Sequence, residues 1–266
     1  MSASMFEKPA MPADAPYEVH APFDAHHIRH IGNALEQRLA DTPSDYRTRV
    51  LNALQDVAGS LNVPVEGLTR AHAKIREGAN YLLPEVRQDA ATEIFTEALA
   101  NAEAKAATAA GNVAELRTRV NRDTVPTRPE TVSDADEAAR KTDLQMRLAP
   151  RTAAGFGGDD GDELVDRTIR ILTEAKRSGD DATVWLLASS EWGRWYLESR
   201  GLDAGQLHRF DQEKRTIEPL PEAVADAVAF RDGTLTELER LVTSSAQVAT
   251  LTRDSQLRAF GDYVRP

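Results

Sequence analysis

Apolar residues recur along this chain at the spacing of three to four that places them on one face of a helix. The first stripe, which includes Ile28, Ile31 and Leu35, predicts a helix over 25–40. Similar stripes follow through most of the later sequence, and no segment sustains the strict apolar–polar alternation of a half-buried strand. The pattern therefore predicts an all-α protein.

Proline separates the first 24 residues from the helical pattern. The prolines at positions 9, 12, 16 and 22 exclude a helix there, because each ring fixes the backbone and removes an N–H donor. We therefore expect residues 1–24 to form an extended N-terminal arm that lies across a neighbouring subunit. Its candidate partner-binding side chains are Met5, Phe6, Tyr17 and Phe23.

Further breaks divide the helical part of the chain. The stretches TVPTRPET and PRTAAGFGGDDGDE are rich in proline or glycine, which is typical of linkers and hinges. We expect two helical bundles, an N-terminal one over 25–122 and a C-terminal one over 162–266. A flexible Pro/Gly-rich connecting segment, 123–161, would contain one helix and a glycine-rich hinge.

The three tryptophans of the chain fall within eleven residues. They are Trp185, Trp192 and Trp195, and Tyr196 follows directly. Spacings of seven and three place the rings on one stripe of a helix predicted over 181–199. Such a stripe is either the core of the C-terminal bundle or an aromatic patch open to a partner helix or subunit. The sequence leaves both interpretations open.

Composition and charge exclude several classes of site and partner. The 266 residues include no cysteine, which excludes disulfides, iron–sulfur clusters and thiolate metal sites. The net charge of −11 disfavours nucleic acid as a partner, and only residues 117–151 are slightly basic. No stretch approaches the roughly 20 apolar residues of a membrane span, and no secretory signal pattern is present. We expect a cytoplasmic protein, or a virion protein if the gene is a phage gene.

Two histidines are the candidate metal ligands. His26 and His30 are four residues apart, so on a helix they share one face and could chelate a transition metal. The zincin and ferritin-like patterns, which add a glutamate to such histidines, are absent. A metal-dependent enzyme centred on this pair is one alternative function, and an exposed pair without a metal is the simpler interpretation. No cofactor is predicted.

The segment VAGSLNVPVEGLTRAHAKIREG, residues 57–78, resembles the helix-turn-helix motif of bacterial DNA-binding proteins. The turn would fall at 62–64, and the acidic surroundings weigh against strong DNA binding. The resemblance implies a DNA-associated regulator, which is the other alternative function. The side chains that its second helix would present to DNA are Thr69, Arg70 and Lys74.

The sequence as a whole favours a non-enzymatic structural or assembly protein. The arm suits contact with a neighbouring subunit, the bundles offer further surfaces, and the nucleophile-elbow and kinase motifs are absent. We expect other protein subunits as partners, in a homo- or hetero-oligomeric assembly such as a bacteriophage virion, where the chain would belong to the head, neck or tail. No membrane contact is predicted.

Overall fold

The structure, a computed structural model, describes residues 4–11, 13, 25–77, 83–149 and 161–264. Every regular element in these ranges is helical and no strand occurs among them, which confirms the all-α prediction. None of the helices in the same ranges combines the length and apolar character needed to cross a bilayer. Tyr17, Phe23 and the predicted glycine-rich hinge lie outside the described residues.

The helices of the described residues are numbered in chain order. Two π turns, Trp185–Ser189 and Arg231–Leu235, continue α6 and α9 respectively. The helices are α1 (His26–Gln37), α2 (Ser44–Glu77), α3 (Pro84–Asp123), α4 (Asp134–Arg147), α5 (Gly161–Ser178), α6 (Asp181–Val184), α7 (Glu191–Ser199), α8 (Ala204–Ile217), α9 (Glu222–Phe230) and α10 (Thr236–Val264).

The chain forms two compact units, and the division differs from the one expected from the sequence. Unit 1 consists of Met1–Asn121 together with Val228–Pro266, and unit 2 of Arg122–Ala227. The expected C-terminal bundle over 162–266 is therefore split, because its last helix belongs to unit 1. The expected connecting segment is not a separate element either, since Leu144 of its helix lies in the core of unit 2.

Helix α2 in unit 1 continues through the position where a helix-turn-helix motif would turn. The predicted motif over 57–78 is therefore wrong. Pro64 lacks the N–H that would bond the Ser60 carbonyl, but its ring is buried and the helix continues across it. Asn62 has no left-handed backbone. Its side chain instead accepts a hydrogen bond of 2.7 Å from Arg29 of α1.

Residues 4–11 lie against the helices of their own chain. The Phe6 ring is 1% exposed and fills the space over Gly32 in α1, where a Cβ atom would overlap it. Phe6 is therefore an internal anchor, which corrects the expectation that it binds a partner subunit. Met5, the other described candidate of the arm, is partly buried.

Hydrogen bonds hold the same segment in place. The buried Arg29 guanidinium donates to the Phe6 carbonyl at 2.9 Å. The Asn62 side-chain amide donates to the Met5 carbonyl at 3.2 Å. Since Arg29 also bonds Asn62, the arm, α1 and α2 meet around one buried cation, which is stabilised by charge-assisted hydrogen bonds.

Helix α10 completes unit 1 by packing on α1, α2 and α3. The rings of Phe260 and Phe95 have centroids 4.8 Å apart. The hydroxyl oxygens of Ser245 and Ser60 are 2.6 Å apart and buried. These contacts join residues far apart in the sequence. Local sequence patterns contain no sign of such contacts, and α10 was therefore predicted to belong to the C-terminal bundle instead of to unit 1.

Unit 2 packs α4 to α8 around a common apolar core. Ser133 and Asp136 form a capping box that begins α4, and Asp203 with Gln206 forms another that begins α8. These caps fix where the helices begin and so place their apolar faces. Large core side chains include Leu144, Leu172, Leu186, Leu197 and Phe210.

Candidate functional site

The predicted helix across the tryptophans is interrupted at Ser190. The Ser190 amide bonds the Trp185 carbonyl at 2.7 Å, which closes the π turn. The Ser190 hydroxyl then accepts from the Trp192 amide at 3.2 Å and begins α7 as an N-cap. The turn between the π segment and α7 is so tight that a Cβ atom on Gly193 would lie 2.9 Å from the Leu187 carbonyl oxygen.

This interruption places the aromatic rings in different environments. Trp185 and Trp192 are partly buried against the core of unit 2. Trp192 also stacks on the buried Tyr196, with ring centroids 5.2 Å apart. Trp195 is instead 58% exposed. The single stripe predicted from the spacing is therefore wrong, and Trp195 alone among the three tryptophans lies mainly on the surface.

Two charged residues lie at the ends of α7. Glu191 precedes Trp195 by one helical turn and shares its face, and we call these two residues the Trp195 surface. Glu191 and Arg200 are exposed, and neither has an ion-pair partner among the described residues. Arg200 donates to the Tyr196 hydroxyl at 2.8 Å and lies over that ring, 5.0 Å from its centroid. Arg200 is nine residues after Glu191 and therefore lies on the opposite side of α7, so the Trp195 surface carries one unpaired acid.

Contacts within unit 2 hold this surface in a defined orientation. Arg194, next to Trp195, bonds Glu198 at 2.9 Å and also pairs with Asp211 of α8. The Glu198 hydrogen bond, together with the Asp211 charge, raises the pKa of Arg194 above its usual value. Helix α7 is therefore fastened to α8, and Trp195 is presented by a fixed element.

A second exposed apolar side chain lies on the neighbouring helix. Met146 of α4 is 68% exposed. It follows Gln145, whose carbonyl oxygen is 3.5 Å from the Tyr196 hydroxyl of α7. Exposed apolar residues on adjacent segments are typical of surfaces that contact another protein.

The candidate metal ligands are placed on the surface of α1. His26 and His30 are both exposed. The described residues contain no group of three or more His, Cys, Asp or Glu side chains that could hold a metal ion. The structure therefore brings no third described ligand to this pair.

The candidate DNA contacts lie on the uninterrupted α2 instead of on a separate reading helix. The Thr69 hydroxyl donates to the Val65 carbonyl at 3.0 Å and lies 4.0 Å from the Met11 sulfur. Arg70 is exposed and Lys74 is half-buried. The Thr69 hydroxyl is thus hydrogen-bonded within unit 1. Residues 57–77 lie on one continuous helix and do not have the geometry of a helix-turn-helix.

Sequence reasoning missed a cavity in unit 2. Its volume is about 180 Å³, and it lies beside the π turn Trp185–Ser189. Short π segments within α-helices frequently occur at functional sites. Charged residues that line the cavity are Lys176, Asp181 and Glu218.

One local signal could have revealed the break in the tryptophan helix. Ser190 followed by Glu191 has the form of a helix start, with a capping hydroxyl and an acid in the first turn. Nothing local relates Lys176 to Glu218, since Lys176 lies on α5, Glu218 follows α8, and the two meet only in the folded unit. The cavity could not have been predicted for that reason.

Comparison with protein-family models, with curated proteins and with solved structures finds no match for this chain, so the site is interpreted from its own geometry.

Proposed function

We propose that this chain is a non-enzymatic assembly protein that associates with further copies of itself through the Trp195 surface. The observation that carries the proposal is the 58% exposure of Trp195 on a helix fastened to its neighbour. Tryptophan supplies a large apolar area with few rotatable bonds, and it dominates the binding energy of many protein interfaces.

A second copy is the partner that the exposed ring favours. An isologous contact uses the same patch on both copies, and a two-fold contact centred on Trp195 packs the ring of one copy against the ring of the other. Such a contact would remove the apolar area of both rings from water.

Other features are consistent with association through apolar contact. Met146, on another helix of unit 2, is also an exposed apolar residue. The acidic net charge of −11 keeps copies soluble, and a local apolar contact offsets their general repulsion.

For the setting of this assembly we propose a bacteriophage virion. The alanine-rich sequence, in which arginine greatly outnumbers lysine, fits a GC-rich bacterial or phage genome. Identification of this chain by mass spectrometry in purified virions would support that setting. Its absence from virions made in cells that express the chain would contradict it, without bearing on self-association.

The substitution Trp195→Glu tests the proposed contact. Sedimentation velocity of the full chain over a concentration series should show association for the native protein and a monomer for Trp195→Glu, because the contact would then bury an unpaired charge. Leu251→Glu is the matched control, since Leu251 is 78% exposed and lies in unit 1. It should associate like the native chain. A native chain that stays monomeric, or equal association of all three proteins, would contradict the proposal.

A further inference from the structure

Three exposed histidines, His26, His27 and His30, lie within the first five residues of α1. His26 and His30 are four residues apart, which on a helix places their Cβ atoms about 5–6 Å apart on one face. His27 is rotated from His26 by about 100° around the helix. The spacing of His26 and His30 is the one at which two histidines of one helix bind the same zinc ion.

The helical turn that carries this pair is fixed from its inner side. The Arg29 amide donates to the Ala25 carbonyl at 3.0 Å, which closes the first turn of α1. The side chains of Ile28 and Arg29, between the two histidines, are buried. The Arg29 guanidinium donates to the Phe6 carbonyl at 2.9 Å and to Asn62 at 2.7 Å. The binding of one ion by both rings therefore costs little ordering of the backbone.

Both rings of the pair are available to a ligand. Among the described residues, His26 and His30 have no hydrogen bond, ion pair or ring contact. A neutral imidazole binds a metal through a ring nitrogen, and imidazole suits zinc, copper and nickel. The described residues bring no third protein ligand to the pair, and its exposure gives water access to the remaining coordination positions.

We infer that His26 and His30 chelate one divalent transition-metal ion, with water in the other coordination positions. Once the first imidazole has bound the ion, the second is held nearby at a high effective concentration, so the pair binds more tightly than either ring alone. Mg²⁺ prefers oxygen ligands and is not expected at this pair. The pair lies in unit 1, so the inference is independent of self-association through the Trp195 surface.

Isothermal titration calorimetry of the full chain tests the inference, with ZnCl₂ and NiCl₂ as probes and MgCl₂ as the control. The carboxylates of a chain with a net charge of −11 attract any divalent cation, whereas an imidazole pair selects transition metals. Zn²⁺ and Ni²⁺ should bind saturably, and at least tenfold more tightly than Mg²⁺. No saturable heat with either transition metal, or equal affinity for Mg²⁺, would overturn the inference.

Two variants assign the ligands. His26→Ala and His30→Ala should each weaken Ni²⁺ binding at least tenfold, because one remaining imidazole cannot chelate. His208→Ala is the matched control, since His208 is exposed on α8 in unit 2. Its affinity should equal that of the native chain.

Thermal unfolding provides a second measurement on the same proteins. A metal that binds only the folded chain raises the midpoint of unfolding. Ni²⁺ should therefore raise the midpoint of the native chain and of His208→Ala more than that of either site variant. Native Ni²⁺ affinity in either site variant, or an equal loss in His208→Ala, would refute the assignment.

Discussion

Gly67 of α2 lies directly against Ala98 of α3, so closely that a Cβ atom on Gly67 would overlap the Ala98 methyl group. Both residues are buried. The absence of a side chain at position 67 therefore allows the two long helices of unit 1 to approach each other at this point.

We expect Gly67→Ala to destabilise the chain. Alanine is a better helix former than glycine by about 1 kcal/mol, but overpacking a tight contact costs about 1–3 kcal/mol. The net loss should be up to about 2 kcal/mol, measured by urea unfolding.

Gly111→Ala is the control for that substitution. Gly111 lies on α3 with no atom within 4 Å of its added Cβ, so only the gain in helix propensity remains. The variant should be more stable by about 0.5–1 kcal/mol. Equal effects of the two substitutions would contradict the close contact at Gly67.

The arm should detach from α1 when Gly32 is replaced by alanine. The added methyl group overlaps the Phe6 ring, whereas Gly261→Ala meets open space and serves as control. Hydrogen exchange of residues 4–11 should accelerate at least tenfold in Gly32→Ala and stay native in Gly261→Ala. Native protection of the arm in Gly32→Ala would refute its internal docking.

A buried glutamine lowers the stability of unit 1. Gln256 of α10 is 0% exposed, and neither polar atom of its amide has a hydrogen-bond partner among the described residues. Gln256→Met keeps the length of the side chain and removes these polar atoms, so it should raise the free energy of unfolding by about 1–3 kcal/mol. Gln256→Glu, which buries a charge, should lower it. A stabilising Gln256→Glu would show that the site is hydrated.

Lys214 makes the stability of unit 2 depend on pH. Burial lowers the pKa of its ammonium group, and the ion pair with Asp211 at 2.7 Å only partly compensates. The folded chain therefore releases this proton at a lower pH than the unfolded chain does. The contribution of Lys214 to stability accordingly rises as the pH increases from the lowered pKa towards 10.5, the usual value.

Lys214→Met isolates this contribution. At neutral pH the variant should be at least as stable as the native chain, because the charged form of the lysine is the one that burial disfavours. Its advantage should diminish as the pH approaches 10.5. Urea unfolding over a pH series measures the difference, and a difference that does not change with pH would contradict the role of burial.

The helical class was predictable because amphipathic stripes are local. Ile28 and Leu35 are buried on α1 as their spacing predicts. Pro64 was misread because proline usually ends a helix, whereas here it is buried within one. The carbonyl of Leu61, one turn before Pro64, accepts a hydrogen bond from the Arg29 side chain of α1. No local sequence pattern predicts that contact.

The candidate site was only partly predictable. The clustering of tryptophans indicated an important helix, but the assumption of an unbroken helical period failed at Ser190. The exposure of Trp195 follows from that break and from the tertiary packing of α7 on α8. Neither can be read from residue spacing alone.

The central claim, that copies of this chain associate about Trp195, is tested most directly by shortening that side chain. Sedimentation velocity should compare the native chain with Trp195→Ala and with Leu251→Ala, whose side chain is also exposed but lies in unit 1. Truncation of a tryptophan at the centre of an interface typically costs about 2 kcal/mol or more. Trp195→Ala should therefore weaken association at least about tenfold, and Leu251→Ala should associate like the native chain. Native association in Trp195→Ala, or equal weakening in both variants, would contradict the account.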